Sequence, residues 1–185
     1  MKGHLDDMKI SACYITKNES ANIAASIESL AASVDEIIVY DTGSEDATCG
    51  IVESFPKVQL FRGAWHEDFA AARNEALARA TGDWIVFLDA DERFSEKTRS
   101  NLRAALEAAD GYDALAVKIV NLDVDGEAEK RLNDTYVVRA FRRLPSIRYV
   151  GRIHEHIERE GGEIRLAFLP QDTLLLLHTG YTESR

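Results

Sequence analysis

The sequence predicts an α/β fold with a mixed central sheet, parallel in its first half and with antiparallel strands in its second half. Through residue 109, short apolar runs alternate with segments whose apolar residues recur every three to four positions. The run at residues 84–88 is continuously apolar, which is typical of parallel strands covered on both faces. Beyond residue 113, β-rich segments follow one another without a comparable helical pattern. This order favours right-handed crossovers between the early strands.

Four strands and four helices are predicted in the first half. The strands lie at residues 10–15, 37–40, 58–61 and 84–88. The first helix follows Ser20, a suitable N-cap, and the second covers about residues 47–55 and ends before Pro56. The third begins after Asp68 and is closed by Thr81-Gly82, and the fourth covers about residues 95–109.

The second half is predicted to consist of strands. Residues 114–120 and 135–141 are β-rich, and Asp125-Gly126 between them is a hairpin turn signal. Further short strands are predicted at residues 148–150, 164–169 and 173–178. The acidic residues at 123–127 superficially resemble a calcium loop, but the ligand spacing that should follow is missing. We interpret them as the tip of the hairpin.

Composition narrows the class of protein. The 185 residues suit a single domain over residues 1–185, and the net charge of -10 disfavours a nucleic-acid partner. Cys13 and Cys49 fit no zinc or redox spacing, so we interpret them as buried or half-buried thiols of a reducing compartment. The N-terminus lacks the apolar stretch of a signal peptide, and no apolar run could form a transmembrane segment. We therefore expect a cytoplasmic domain.

Polar side chains are concentrated where the predicted parallel strands end. These places are residues 16–19, 41–44, 62–63 and 89–91. Ligands of open α/β sheets bind beyond the carboxyl ends of the strands. A sheet with a purely structural role does not need acids at two strand ends, so the pattern predicts a ligand site at this edge.

Asp89-Ala90-Asp91 directly follows the most buried strand. Side chains two positions apart in an extended segment project to the same side, so both carboxylates can serve one cation and one ligand hydroxyl. Mg²⁺ and Mn²⁺ favour such oxygen ligands and bridge to substrate phosphates. The alternative is a solvated turn with acids near the start of the next helix. The position after a buried strand favours the metal site.

Two further residues have both a functional and a structural interpretation. Asp41 follows a buried run, and its carboxylate could accept a hydrogen bond from a base or ribose, although helix capping explains Ser44 or Asp46. Arg73 lies one turn into a helix among alanines and could reach a diphosphate or a nucleobase. The alternative for Arg73 is an exposed surface arginine.

Six short segments in a fixed order resemble a known family. They are Ile15-Thr16-Lys17-Asn18-Glu19, Asp41-Thr42-Gly43-Ser44-Glu45-Asp46-Ala47-Thr48, Ala72-Arg73-Asn74-Glu75, Phe87-Leu88-Asp89-Ala90-Asp91-Glu92, Gly151-Arg152-Ile153-His154-Glu155 and His178-Thr179-Gly180-Tyr181. The set resembles the family 2 glycosyltransferases, which have the GT-A (Rossmann-like) fold. More narrowly, it is similar to the bacterial branch whose catalytic domain often precedes tetratricopeptide repeats. The resemblance covers nearly the whole chain.

The resemblance implies roles around a divalent cation, Mn²⁺ or Mg²⁺. Asp91 would bind the metal, and His178 would be a late ligand of the metal or the diphosphate. Asp89 would contact the ribose, or the metal through a water molecule.

The resemblance also implies a nucleotide-sugar pocket. Asp41 would bind the nucleobase, with Thr16 and Glu19 lining the same pocket. Arg73 would help to hold the nucleotide, and His154 would belong to the nucleotide-sugar site.

Glu155 is the closest match to the catalytic base of the family. Many members carry a Glu-Asp pair well after the paired acids, and this chain has none there. The alternative for His154-Glu155-His156 is an alternating strand with one wet face. A zinc site is disfavoured because two histidines at this spacing lack further ligands.

The resemblance implies a metal-dependent, inverting transfer of a sugar from a nucleotide-diphosphate sugar, a UDP-sugar above all. The acceptor would be a glycan, a lipid or a protein, and a peripheral position at the inner membrane face is compatible with this. Two alternatives stay open. One is a nucleotide-sugar-binding module without transfer activity. The other is a nucleotidyltransferase-like enzyme, although the Gly-rich basic phosphate loop of that class is missing.

Overall fold

A computed structural model describes residues 8–122, 135–169 and 173–179. Its early elements are β1 (Ile10–Thr16), α1 (Ile23–Leu30), β2 (Glu36–Asp41), α2 (Thr48–Glu53), β3 (Val58–Arg62), α3 (Phe69–Leu77), β4 (Trp84–Phe87), β5 (Glu92–Phe94) and α4 (Glu96–Ala108). The later elements are β6 (Ala114–Asn121), β7 (Thr135–Arg142), β8 (Ile147–Val150), β9 (His156–Arg159), β10 (Leu166–Phe168) and β11 (Leu175–His178). No helix in these ranges combines the length and the apolar character needed to cross a membrane.

The predicted mixed sheet is confirmed. Its strand order is β3-β2-β1-β4-β7-β6-β11-β5, with β10 added beside β6. The first four strands are parallel, and β7 then runs antiparallel to both β4 and β6. The strands β10 and β11 are parallel to β6, and β11 is antiparallel to β5. The second half therefore contributes strands of both directions, and β8 and β9 form a separate hairpin.

Several local expectations need correction. The N-caps of α3 and α4 are Asp68 and Ser95, each accepting a backbone N–H three residues on. Ser20 does not cap α1, which begins after Asn22. The short strand β5 was not predicted because three residues are too few to establish a period. The predicted hairpin tip at residues 123–127 and the residues Gly180 and Tyr181 lie outside the described ranges.

The core lies on both faces of the sheet. Residues of β4 alternate between the faces, with Trp84 and Val86 on one side and Ile85 and Phe87 on the other. On the first face they pack with apolar residues of α1 and α4, and on the second with the alanines of α3 and the β8–β9 hairpin. Cys13 is buried and Cys49 half-buried, both as free thiols, which confirms the predicted burial.

Asp113, just before β6, ties the later strands together. Its buried carboxylate accepts hydrogen bonds from Arg159 of β9 at 2.9 Å and from Nη2 of Arg165 at 2.8 Å. The hydrogen bonds from Arg165, aided by the charge of Arg159, hold the pKa of Asp113 well below its usual range. Ionised Asp113 therefore stabilises the folded state.

We expect Asp113→Ala to lower the free energy of unfolding by about 1–3 kcal/mol at neutral pH, because the buried carboxylate that accepts from Arg159 and Arg165 is lost. The contribution of ionised Asp113 to the free energy of unfolding is complete above the ordinary aspartate pKa of ~3.9. It is lost as the pH falls below that value towards the lower pKa of Asp113 in the folded protein. Urea unfolding at several pH values measures both effects. Asp110→Ala, with a side chain 98% exposed, is the control. Equal losses in the two variants would contradict the assignment.

Candidate active site

A cleft of about 550 Å³ opens at the carboxyl ends of β1 and β4, at the edge of the sheet where the sequence predicts a ligand site. The predicted site residues that line it are Thr16, Glu19, Arg73, Asp89, Asp91, His154, Glu155 and His178. Its wall also contains Lys17, Thr42, Trp65, Phe69 and Ile153, which were not singled out. The structure therefore brings together predicted site residues that are far apart in the chain, such as Thr16 and His178.

Asp89 follows β4 and is held by two arginines. Arg73 of α3 donates from Nη2 to Oδ1 of Asp89 at 2.7 Å, and Arg139 of β7 donates to Oδ2 at 2.6 Å. Arg73 also donates from Nε to Glu155 at 2.7 Å, and Arg139 donates to Glu92 at 2.5 Å. These five side chains form one ion-paired group, which we call the arginine–carboxylate network.

The network is largely withdrawn from solvent. Arg73 is 4% exposed and Glu92 2%, so the interpretation of Arg73 as a surface arginine is wrong. Burial alone would raise the pKa of Asp89, but the charges of Arg139 and Arg73 outweigh it and hold that pKa well below its usual range. Burial also raises the pKa of Glu92, and for this residue the effect of burial exceeds the opposing effect of the Arg139 charge. Asp89 is therefore the firmly ionised carboxylate of the network.

The position of Arg73 follows from the small residues around it. Ala70, Ala72 and Ala76 are buried, which allows α3 to lie close against the sheet. The guanidinium then stacks 4.6 Å from the ring centre of Phe87 and 5.5 Å from that of Tyr149. With Nε and Nη2 committed to two carboxylates, Arg73 joins Asp89 to Glu155 rigidly.

Arg139 and Glu92 were missed by the sequence reasoning. Glu92 was quoted in a motif but given no role, and Arg139 was hidden inside a predicted strand. A usable signal existed, because an arginine within the β-rich segment 135–141 needs a buried partner or an exposed face. Nothing in the sequence alone pairs it with residues 47 and 50 positions earlier.

Asp91 and His178 face each other at the cleft. Nε2 of His178 lies 3.3 Å from Oδ2 of Asp91, and the backbone N–H of Thr179 donates to the Asp91 carbonyl at 3.0 Å. The hydrogen bond with Asp91 raises the pKa of His178. Among the described residues, no group of three or more His, Cys, Asp or Glu side chains is arranged to hold a metal alone. These two side chains therefore offer one oxygen and one nitrogen to a ligand in the cleft.

Asp41 lies beside the cleft and organises the turn after β2. Its carboxylate accepts the backbone N–H groups of Gly43 at 3.1 Å and Ser44 at 2.9 Å, and the hydroxyl of Thr16 at 3.3 Å. Gly43 has a φ of 109°, which glycine adopts without strain. Burial raises the pKa of Asp41, but the hydrogen bonds from Ser44 and Gly43 outweigh it and lower the pKa overall. The contacts seen for Asp41 are therefore those of its own turn and of Thr16, and nucleobase binding by Asp41 stays a prediction.

Glu19 and Thr16 hold the two neighbouring strand ends together. The N–H of Glu19 donates to Oγ1 of Thr48 at 2.7 Å, and its carbonyl accepts from Asn22 and Ile23 at the start of α1. The carbonyl of Thr16 accepts the N–H of Thr42 at 2.9 Å. The floor of this part of the cleft is therefore fixed by backbone contacts.

The loop at residues 151–155 forms the opposite wall. His154 has a φ of 58°, a conformation uncommon for residues other than glycine. The carbonyl of Arg152 accepts the N–H of Phe69 at 3.1 Å, which anchors the loop to the start of α3. Glu155 then points inwards, with its side chain 15% exposed. The alternating strand β9 begins only at His156, so Glu155 lies in the loop that precedes it.

A second cavity of about 520 Å³ adjoins the first. The two cavities share Arg73, Asp89, His154 and Glu155. The remaining wall of the second cavity is mainly apolar and includes Val138, Tyr149, Ile157, Ile164 and Leu166. Glu155 thus lies at the boundary between the two cavities.

Two curated relatives are similar to this chain. A TPR repeat-containing protein of Synechococcus elongatus is 35% identical over 150 residues, which cover 81% of this chain and 36% of that protein. The SPbeta prophage-derived glycosyltransferase SunS of Bacillus subtilis is 28% identical over 180 residues, which cover 97% of this chain and 41% of SunS. The chain therefore spans about two fifths of the length of these relatives.

Solved structures confirm the GT-A fold. The crystal structure of S. aureus TarS residues 1–349 aligns with a TM-score of 0.64 at 20% identity, covering 93% of this chain and 60% of that chain. A crystal structure of the same protein in complex with UDP-GlcNAc aligns with a TM-score of 0.63 at 21% identity. The family model described as Glycosyl transferase family 2 matches residues 11–156, most of the chain. On this match and the relative that is 35% identical, the chain belongs to glycosyl transferase family 2.

Proposed function

We propose that this chain transfers a sugar from a nucleoside-diphosphate sugar to an acceptor, with inversion at the anomeric carbon. The observation that carries the proposal is the meeting of three parts in one cleft: the Asp91–His178 pair, the ionised Asp89 and the half-buried Glu155. A phosphate-bearing donor needs the first part, and an acceptor that must lose a proton needs the last.

The donor is a UDP-sugar in this proposal. TarS structures with UDP and with UDP-GlcNAc share the fold of this chain, and the carboxyl ends of β1 and β4 form the cleft in it. Asp89 still has lone pairs available to a ribose hydroxyl after accepting from two arginines, since a carboxylate offers about four acceptor sites. Thr16 and Glu19 would line the nucleotide end, beside the turn organised by Asp41.

The Asp91–His178 pair fits a divalent cation. The carboxylate and the imidazole supply two ligands from one side of the cleft, and a donor diphosphate would supply oxygens from the other. Imidazole is a poor ligand for Mg²⁺, so the mixed oxygen and nitrogen set favours Mn²⁺ of the two ions expected. When bound, the cation would neutralise the negative charge that develops on the leaving diphosphate.

Glu155 is proposed as the base. Its Oε1 is fixed by Nε of Arg73, which aims the carboxylate at the boundary between the two cavities. An acceptor hydroxyl entering from the second cavity would give its proton to Glu155. The oxygen of the acceptor would form the new bond to the anomeric carbon while the bond from that carbon to the diphosphate breaks. Attack on the face opposite the leaving group produces inversion.

The alternatives differ in what they require. The family match gives no support to a nucleotidyltransferase-like enzyme. A binding module without transfer activity would not need a half-buried, fixed carboxylate at the donor cleft, which Glu155 supplies.

A turnover measurement tests the proposed function. We expect the purified chain to release UDP from UDP-GlcNAc or another UDP-sugar in the presence of Mn²⁺, slowly to water and faster when an acceptor is present. A thermal-shift screen of nucleotide sugars identifies the donor first, because a ligand of the folded state raises the Tm. Specific binding without any release of UDP would favour the binding module instead.

A further inference from the structure

We propose that Asn121 is a positioning residue that accepts the Nδ1–H of His178 and so holds the imidazole with Nε2 directed at Asp91 and the cleft. Oδ1 of Asn121 lies 3.1 Å from Nδ1 of His178. This inference rests on the proposed function, since it concerns the orientation of one ligand of the expected cation.

The sheet register brings the two residues together. The strands β6 and β11 are parallel, and His178 is the register partner of Asn121. The N–H of Leu122 donates to the carbonyl of His178 at 2.9 Å, which fixes the pairing one residue beyond Asn121. The N–H of Thr179 is bound to the carbonyl of Asp91, so the backbone is also fixed on the other side. The contact between Asn121 and His178 is therefore a product of the fold rather than of an exposed loop.

The chemistry of the ring gives the contact its consequence. A neutral imidazole carries one proton, and the nitrogen without it is the metal ligand. Asp91 accepts hydrogen bonds only, so by itself it would keep the proton on Nε2, the nitrogen that faces the cleft. The amide oxygen of Asn121 also only accepts, so it favours a proton on Nδ1. Asn121 thus competes with Asp91 for the ring proton and leaves Nε2 as the nitrogen that can bind a cation.

Such outer partners of metal-binding histidines affect affinity strongly. Loss of the hydrogen bond on the far ring nitrogen typically weakens metal binding by about 10–100-fold. No role was assigned to Asn121 from the sequence, because 57 residues separate it from His178 and it lies outside every motif. It does not line the cleft, so its action is through His178 alone.

The test compares Mn²⁺ binding to the full chain by calorimetry, without any turnover. We expect Asn121→Ala and Asn121→Leu to weaken Mn²⁺ binding by about 10–100-fold. Asn121→Asp keeps an acceptor oxygen and should stay close to the unsubstituted chain. Asn101→Ala, in α4 and outside the cleft, is the matched asparagine control. Circular dichroism establishes which variants are folded, and the alanine and leucine variants serve as substitutes for each other.

A spectroscopic readout separates positioning from general stability. In ¹⁵N-histidine NMR without metal, the fraction of His178 rings that carry a proton on Nδ1 should be higher in the unsubstituted chain than in Asn121→Leu, because Asp91 is then the only one of the two acceptors left and keeps the proton on Nε2. His178→Gln identifies the signal and serves as the reference for metal binding. If this reference weakens Mn²⁺ binding and Asn121→Leu and Asn121→Ala do not, Asn121 has no such role. If the reference itself leaves Mn²⁺ binding unchanged, the proposed metal site fails and the inference with it.

Discussion

Arg139→Ala is expected to lower the free energy of unfolding by about 3–5 kcal/mol, the cost of leaving a buried carboxylate without its partner. Glu92 is 2% exposed and Arg139 donates to it at 2.5 Å, so the substitution leaves the buried carboxylate of Glu92 without its guanidinium partner. Asp89 suffers less because Arg73 still pairs with it at 2.7 Å. Urea unfolding followed by circular dichroism measures the loss.

The surface pair Arg62–Glu53 provides the control for this prediction. Both side chains are more than half exposed, and their charged atoms lie 2.9 Å apart. Arg62→Ala should therefore cost no more than about 1 kcal/mol, because water screens and solvates exposed charges. The double variant Arg139→Met with Glu92→Gln should recover part of the loss by removing both buried charges. A single Arg139→Ala variant as stable as Arg62→Ala would show that Glu92 is not a buried charge in the folded protein.

Glu155→Gln is expected to lower kcat by about 10²–10⁴-fold, the usual contribution of a general base. The glutamine oxygen can still accept from Nε of Arg73, so the loop should keep its shape while the basic group is lost. Nucleotide affinity should be unchanged, because Asp89, Asp91 and His178 are untouched.

Glu158→Gln is the matched control for the base. Glu158 lies in β9, three residues further on, with 60% of its side chain exposed and only His156 as a described partner. The kcat of Glu158→Gln should match that of the unsubstituted chain. Full activity in Glu155→Gln would place the base elsewhere, and loss of nucleotide affinity in that variant would assign Glu155 to the donor site.

The fold was predictable because its signals are local. The continuous apolar run at residues 84–88 identified the central strand, and the apolar stripes after Asp68 and Ser95 identified the helices α3 and α4. The directions of β10 and β11 were not predictable in this way. A short strand has the same alternation whichever way it runs, so its direction depends on the neighbour it finds.

The cleft was predictable in part, because the carboxyl ends of parallel strands converge on one edge. This rule predicted that Thr16 and Asp89 lie at the same edge, and both line the cleft. It could not show that the Asp41 carboxylate accepts hydrogen bonds from the backbone of its own turn. An aspartate at that position suits a nucleotide ligand and a turn equally well. The rule also could not reveal Arg139 or Asn121, whose contacts arise from strand pairing far along the chain.

The metal and nucleotide account is tested most directly by calorimetric titration of UDP into the chain with and without Mn²⁺. We expect binding that depends on Mn²⁺ in the unsubstituted chain and in Asp110→Ala, whose side chain is 98% exposed. Asp91→Ala should lose the dependence on Mn²⁺, because the carboxylate 3.3 Å from His178 is removed. If Asp91→Ala bound UDP with the same affinity and the same dependence on Mn²⁺, the proposed metal and donor site would be contradicted.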